Sequence, residues 1–240
     1  MKTVGILYIC TGKYSIFWEA FFINCEKNFL PNSEKHYFVF TDDEVILNID
    51  NPRIHTIFQQ TEEWPYPTLK RFEYFCRVKE QLLLMDYVVF MNGNLIVNVP
   101  VYEDEILPKE ENLFVTLHPG FFDKARCEYT YDNNPKCTAY VSDDEGTYYF
   151  AGGFNGGKSE AFVSLMEVLK DRIQRDLQND VIALWHDESQ LNRYLIDYGG
   201  KFKMLSPAYL YPEGWDLPFE QKIIVLDKQN KGGHEYLRER

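Results

Sequence analysis

Trp185-His186-Asp187-Glu188 places an aromatic ring, an imidazole and two carboxylates on consecutive residues. A carboxylate aimed into a cleft beside an aromatic platform suits chemistry at a sugar carbon, where an anion steadies developing positive charge. The same residues also read as a helix start, with Asp187 as N-cap and Gln190 completing a capping box. Asn92-Gly93-Asn94 follows the apolar run Tyr87–Met91. Asn and Gly tolerate left-handed backbone, so a strand-ending turn accounts for the tripeptide. Alternatively, two asparagines stand where a hard divalent cation would take carboxylates. Asn keeps the carbonyl oxygens and removes both charges, so such a site holds metal weakly or not at all. Gly152-Gly153-Phe154-Asn155-Gly156-Gly157 lacks the GxGxxG spacing. It says that backbone must approach something closely, or turn sharply, before a helix. His118 follows a strand-like run and reads either as a hydrogen-bonded turn histidine or as a ligand contact. The tail carries Lys222, Lys228, Lys231, Arg238 and Arg240. It is either a solvated end or a cationic flap that closes over a diphosphate and excludes water.

The elements that must position these groups alternate. Val4–Cys10 is a continuous apolar run ended by Thr11-Gly12-Lys13, as in a central strand covered on both faces. Helical spacing follows over 14–29. His36–Thr41 is a second strand, Arg53–Gln59 a third, and Tyr87–Met91 another, after helical spacing over 68–85. Strand–helix alternation in the first 95 residues predicts a parallel, doubly wound sheet, with ligands beyond the carboxyl ends of its strands. That puts Ile9–Lys13, Asp42 and Asn92–Asn94 on one rim. In the second half, Leu113–Leu117 is strand-like, and helices are expected over 159–177 and from Trp185 to Tyr198. The division expected is one domain over 1–240: a nucleotide-binding half (about 1–95), an acceptor and catalytic half (about 96–220) and a basic tail (about 221–240).

Composition narrows the partners. The chain has 240 residues, with 25 Lys+Arg against 37 Asp+Glu and a net charge of −12. Such a surface repels phosphate backbones and anionic membranes, so nucleic acid is not an expected partner. Apolar residues at 45% and charged residues at 26% exclude a disordered or fibrous chain. Aromatic residues at 16% suit either a sugar- or base-stacking site or an aromatic core. Five cysteines without a CxxC pair support neither a disulfide framework nor a zinc site, and point to reducing cytoplasm. The N-terminal apolar run is far short of the ~20 residues of a spanning helix, so no membrane anchor is expected.

Taken in order, Phe40-Thr41-Asp42, Asn92-Gly93-Asn94, Thr116-Leu117-His118-Pro119-Gly120-Phe121, Ala151 to Gly157, Trp185-His186-Asp187-Glu188-Ser189 and Leu205-Ser206-Pro207 resemble glycosyltransferase family 6. That family contains the histo-blood-group A and B transferases and the α1,3-galactosyltransferases. The resemblance runs from about Val4 to Lys231 and implies a GT-A fold, a Rossmann-like mixed α/β sheet flanked by helices. It also implies retaining transfer of α-GalNAc or Gal from a UDP-sugar to the 3-hydroxyl of an acceptor galactose.

By the same resemblance Ile9, Thr11 and Tyr14 match uridine-holding positions, and Arg71 and Asp187 match donor contacts. Trp64 matches an aromatic of a closing loop. His118, Thr130 and Trp185 match acceptor contacts, and Glu188 matches the carboxylate that is either nucleophile or stabiliser of an oxocarbenium-like state. Lys228 matches a tail lysine on the diphosphate; Lys231 is a further candidate. The animal members carry Asp-x-Asp where this chain has Asn92 and Asn94, so the resemblance is to a bacterial, metal-independent branch with no cofactor. Lys228, Lys231 and Arg71 would then take over the metal's charge on the leaving UDP.

Gly120, Ala151 and Gly153, with Gly152 between the last two, match positions around the donor's C2 substituent. Being small, they leave room for an N-acetyl group and favour UDP-GalNAc, with a fucosylated galactoside as acceptor. The competing expectations are a UDP-Gal-using enzyme, a metal-dependent one, and an inactive carbohydrate-binding module. An intact Glu188 argues against the last.

Overall fold

The structure, a computed structural model, describes residues 1–239. Its strands are β1 (Lys2–Ile9), β2 (Ser33–Thr41), β3 (Ile54–Phe58), β4 (Tyr87–Met91), β5 (Leu95–Val97), β6 (Leu113–Leu117), β7 (Phe150–Lys158), β8 (Phe202–Leu205), β9 (Tyr211–Pro212) and β10 (Ile223–Val225). The helices are α1 (Trp18–Asn28), α2 (Glu44–Leu47), α3 (Tyr66–Leu69), α4 (Arg71–Cys76), α5 (Lys79–Leu82), α6 (Glu103–Ile106), α7 (Ser159–Gln178), α8 (Asp187–Tyr198) and α9 (Gly233–Arg238).

A seven-stranded sheet in the order β3-β2-β1-β4-β7-β6-β8 forms the centre. β1 to β4 pair in parallel, β7 runs against β4 and β6, and β8 is parallel to β6. The result is the mixed α/β architecture that the family resemblance implies, and the parallel pairing expected from strand–helix alternation holds for β1 to β4. β1 alternates its load across both faces. Val4, Ile6 and Tyr8 face a core that α1 covers, while Leu7 faces a second core with Phe72, Phe75 and the apolar stripe of α7. That double burial is why the strand reads as an unbroken apolar run. The aromatic surplus is largely core: Tyr8, Phe21, Phe38, Phe72, Phe75, Phe90, Phe114 and Phe154 are all fully buried.

Several local expectations are corrected. The 14–29 segment opens with a 3-10 turn (Gly12–Phe17) before α1 begins. The 68–85 segment is three short helices rather than one, because Lys70 and Val78 leave helical dihedrals (φ/ψ −93/7° and −117/16°). A straight 18-residue helix would be about 27 Å long, far beyond a five-residue strand, and the breaks keep Leu69, Phe72, Phe75 and Leu82 on the sheet. Of the two readings of the Gly152–Gly157 stretch, close backbone approach holds and the sharp turn does not, since the stretch is the middle of β7. Glycine is a poor strand former, yet it is required here: a Cβ on Gly156 would lie 2.4 Å from the Val88 carbonyl oxygen, and one on Gly157 2.3 Å from that of Asn112. The tail is also ordered. β10 joins β5 and β9 in a small second sheet, and α9 closes the described chain. Arg240, counted in the basic tail, lies outside the described residues.

Candidate active site

β1, β2 and β4 end side by side, and the loops that leave them form one rim. Asp42, just after β2, is the clasp of that rim. Its carboxylate accepts the Gly12 N–H (2.6 Å), the Thr61 N–H (2.8 Å) and the Thr61 hydroxyl (2.6 Å). These bonds hold its pKa below the ordinary aspartate value against burial. The clasp draws the post-β1 and post-β3 loops together around a cavity of about 230 Å³. Ile9, Thr11, Tyr14, Trp64, Arg71, Asn92 and Lys228 line it, seven of the residues expected at a donor site. Thr61 and Glu62 also border a larger neighbouring hollow of about 700 Å³.

Cations concentrate at this cavity although the chain is acidic. The Lys228 ammonium sits over the Tyr14 ring at 5.3 Å, and the Arg238 guanidinium over the Trp64 ring at 3.8 Å. Arg71 lies over Phe90 at 4.6 Å. Burial, then the nearby Arg238 and Arg71, push the Lys228 pKa down to about 8. Arg238 was read from the sequence only as part of a basic tail; its type and the tail's charge were the available signal. Lys231 is exposed at the end of the Lys228–Lys231 turn and is not among the cavity's lining residues. Lys222 is spent on an ion pair with Glu105.

Asn92 and Asn94 differ in role. The Asn94 amide donates to the Leu226 carbonyl (2.8 Å), and its own oxygen accepts from the Asn92 amide (3.1 Å). Asn94 is buried, so it ties the tail to the rim rather than facing the cavity. Among the described residues no group of three or more His, Cys, Asp and Glu side chains is arranged to hold a metal ion.

The carboxylates stand at the inner end of the cleft, where α8 begins. His186 precedes the helix at φ 55°, ψ −121°, a conformation disfavoured for a residue with a side chain. It is therefore His186 that caps the helix, and the expected Asp187–Gln190 capping box is corrected. Asp187 is the first helical residue, and the Gln190 amide is used inside, donating to Asp176 (2.7 Å) and Thr138 (2.9 Å). Asp187 is 2% exposed and pairs with the Arg71 Nε at 3.2 Å. Burial raises its pKa to about 6 despite Arg71 and the helix N–H groups. Glu188, partly open to the cleft, is raised to about 7, by burial first and then by Asp187. The Gly152 N–H (2.8 Å) and the Tyr149 hydroxyl (3.0 Å) oppose that rise by donating to its two oxygens.

Gly152 is the junction. β7 inserts three residues against β6 between the pairs Val115↔Asn155 and Thr116↔Ala151. This wide bulge swings Gly152 and Gly153 to the cleft. The Gly152 carbonyl accepts from Asn155 (3.0 Å) and faces Arg71 Nη1 (3.4 Å). A Cβ on Gly152 would meet Asp187 Oδ2 at 3.1 Å and Glu188 Cβ at 3.3 Å. Gly153 lies against Leu210 and Asn92, and Ala151 is buried.

Among the remaining predicted residues, His118, with Gly120 against its ring, and Thr130 meet at Tyr149, while Trp185 stands just before α8. His118 Nδ1 accepts the Gly120 N–H (3.0 Å), which leaves Nε2 as the protonated nitrogen. Burial lowers its pKa to about 4, so the ring is neutral. A Cβ on Gly120 would lie 3.9 Å from Trp215. Trp185 and Trp215 are each about half exposed, at 48% and 50%. The Thr130 carbonyl lies 3.5 Å from the Tyr149 hydroxyl. Sequence reasoning did not single out Tyr149 or Trp215; a Tyr within three residues of Gly152 was the signal for the former, and the latter had none.

Comparison with known proteins follows this geometry. Residues 1–239 match the model of glycosyltransferase family 6. The chain is 33% identical over 228 residues to the O-antigen biosynthesis glycosyltransferase WbnI of Escherichia coli, covering 95% of this chain and 96% of that protein. It is also 33% identical to histo-blood group ABO system transferase 1 of Rattus norvegicus, over 98% of this chain and 68% of that protein. Human globoside alpha-1,3-N-acetylgalactosaminyltransferase 1 is 27% identical over 94% of this chain and 67% of its own length. No helix among the described residues is long and apolar enough to cross a membrane.

Proposed function

The chain belongs to glycosyltransferase family 6, and on that premise we propose that it moves α-GalNAc from UDP-GalNAc to the 3-hydroxyl of a galactose in a fucosylated acceptor, with retention and without a metal ion. The observation that carries this reading is the pairing of an anion with a cation cluster across one cleft. Glu188 stands at the Gly152 junction, and Lys228, Arg238 and Arg71 line the cavity beside it.

The chemistry divides accordingly. Tyr14, Ile9 and Thr11 take the uridine end. As the bond from the anomeric carbon to the diphosphate breaks, negative charge grows on the leaving oxygen. Lys228, Arg238 and Arg71 offset that charge inside a partly dry cavity, where preorganised cations act most strongly. Positive charge grows on the sugar, and Glu188 faces it as a fixed anion with each oxygen holding one hydrogen bond. The acceptor hydroxyl attacks on the face UDP leaves and passes its proton to the departing phosphate, which accounts for retention. Asp187, held by Arg71, orients the donor sugar. His118, Thr130 and Trp185 form the acceptor wall.

Two further observations support the finer choices. Asn94 has both ends of its amide committed within the protein, which leaves Asn92 at the cavity with a neutral amide oxygen where a hard cation favours carboxylates. Gly120 and Gly153 are packed so that even a methyl group would press on His118 or Leu210 at 3.3 Å, so no bulkier side chain stands there against an N-acetyl group, and the globoside relative's name specifies N-acetylgalactosamine. The test is transfer to a fucosylated galactoside in excess EDTA, with UDP-GalNAc and UDP-Gal in parallel. Product that persists in chelator and is greater with UDP-GalNAc is expected. Activity that returns only with Mn²⁺ would overturn the metal-free reading, and preference for UDP-Gal would overturn the donor.

A further inference from the structure

We propose that Tyr149 is a positioning residue for Glu188: its hydroxyl fixes one carboxylate oxygen, keeps the group ionised in a desolvated cleft, and ties it to the acceptor wall. The proposal rests on the reading of Glu188 as the anion beside the reacting carbon. Tyr149 is 1% exposed and precedes the β7 bulge by only a few residues. Its hydroxyl lies 3.0 Å from Glu188 Oε1, while the Gly152 N–H holds Oε2 at 2.8 Å. One donor comes from a side chain and one from backbone, so the plane of the carboxylate is fixed from two sides.

A phenol has one proton to give. The second acceptor within reach is the Thr130 carbonyl at 3.5 Å, longer and uncharged. The proton therefore goes to the carboxylate whenever Glu188 is ionised, since bonds to charged acceptors are the stronger. The rest of Tyr149 belongs to the acceptor wall. Its carbonyl accepts the His118 N–H at 3.0 Å. Its ring packs against Phe121, Tyr131 and His118 at centroid distances of 4.9, 5.2 and 5.7 Å. Movement of that wall is thus felt at the carboxylate through one rigid ring.

Other groups facing the pair do not substitute for this bond. Asp187, next to Glu188 on α8, works against its ionisation, and Arg71 from α4 favours it less than the two direct donors do. Burial first, then the Glu188 charge, with Tyr131 adding less, disfavours ionisation of Tyr149 itself, which keeps the phenol a donor. His118 is neutral. Removing the phenol oxygen leaves Glu188 with the Gly152 N–H alone and with its burial unchanged.

The experiment is titration of the Glu188 carboxyl by ¹³C NMR in the UDP-saturated protein, with Glu188→Gln supplying the assignment, for wild type and Tyr149→Phe. The expected result is a midpoint about one pH unit higher in Tyr149→Phe, a tenfold shift in the protonation equilibrium. The acid limb of the kcat profile for transfer should move with it, while UDP affinity stays within about twofold. A packing role alone would lower kcat at every pH and leave both midpoints in place, and that outcome overturns the proposal. Glu188→Gln keeping near-normal transfer would instead overturn the reading of Glu188. If Tyr149→Phe fails to bind UDP, 3-fluorotyrosine at the same position retains every contact. As the stronger donor it should move the midpoint down, and an unmoved midpoint there is equally decisive.

Discussion

Replacing Gly152 by Ala adds one methyl group at the junction of β7, α8 and Arg71. The new Cβ would lie 3.1 Å from Asp187 Oδ2, 3.3 Å from Glu188 Cβ and 3.5 Å from Glu188 Cα. Two of these neighbours are backbone-proximal atoms in the first turn of a helix, so neither can swing aside as a side-chain tip would. Relief takes a few tenths of an ångström between strand and helix. That movement stretches the 2.8 Å bond from Gly152 to Glu188 and disturbs the 3.2 Å Arg71–Asp187 pair. Overpacking of this kind costs about 1–3 kcal/mol in stability, a fall of roughly 2–4 °C in Tm per kcal/mol for a domain this size. A weakened bond to an ionised group, at about 1.5–3 kcal/mol, lowers kcat by roughly 10- to 100-fold. The assay is kcat and KM for transfer, with Tm and UDP affinity measured on the same protein. Gly153→Ala is the internal comparison: its Cβ meets the Leu210 side-chain end at 3.3 Å and Asn92 at 3.7 Å, so the fold should accept it. Its effect should fall on UDP-GalNAc more than on UDP-Gal. Gly156→Ala, with 2.4 Å to the Val88 carbonyl, should yield no folded protein. Unimpaired kcat in Gly152→Ala would refute the junction's role. An equal loss in Gly153→Ala would show that any bulk in the bulge is harmful and that the contact to Glu188 is not special.

The remaining expectations concern charge. Transfer needs Glu188 ionised and Lys228 protonated, groups set near 7 and 8, so kcat/KM should fall below about pH 7 and again above about pH 8. A flat profile from pH 6 to 9 would contradict both assignments. Arg238→Ala removes a cation that depresses Lys228, so the alkaline limb should move to higher pH while the donor KM rises at neutral pH. Asn94→Asp places a carboxylate against the Leu226 carbonyl and removes the donor between them. We expect it to lower Tm, at a cost of about 1–3 kcal/mol, and to raise the donor KM. Thermal melts and donor titrations check both, and an unchanged Tm would show that the tail is held by other contacts.

The sequence by itself determined the parallel half of the sheet, because unbroken apolar runs as short as Val4–Cys10 and Tyr87–Met91, each ended by a turn, suit strands buried on both faces, whereas the antiparallel entry of β7 between β4 and β6 was decided by tertiary pairing. It also determined most of the donor rim, because parallel strands must end on one side and the residues just after them must face a common opening. Local rules failed where distant contacts prevailed. The glycines of β7 left close approach and a sharp turn equally open, because what they approach, the Val88 and Asn112 carbonyls, lies 68 and 45 residues earlier in the chain. Asp187 read as a helix cap because nothing near it in sequence announces Arg71, and nothing in the residue type of His186 announces its positive φ. Asn92 and Asn94 look alike in sequence, yet packing sends one to the cavity and the other to the tail. The protonation of Glu188 was the least legible feature. Residue type sets a carboxylate's ordinary value, but desolvation, a phenol from β7's approach and one backbone N–H from its bulge set the actual one, and those exist only once the chain has folded.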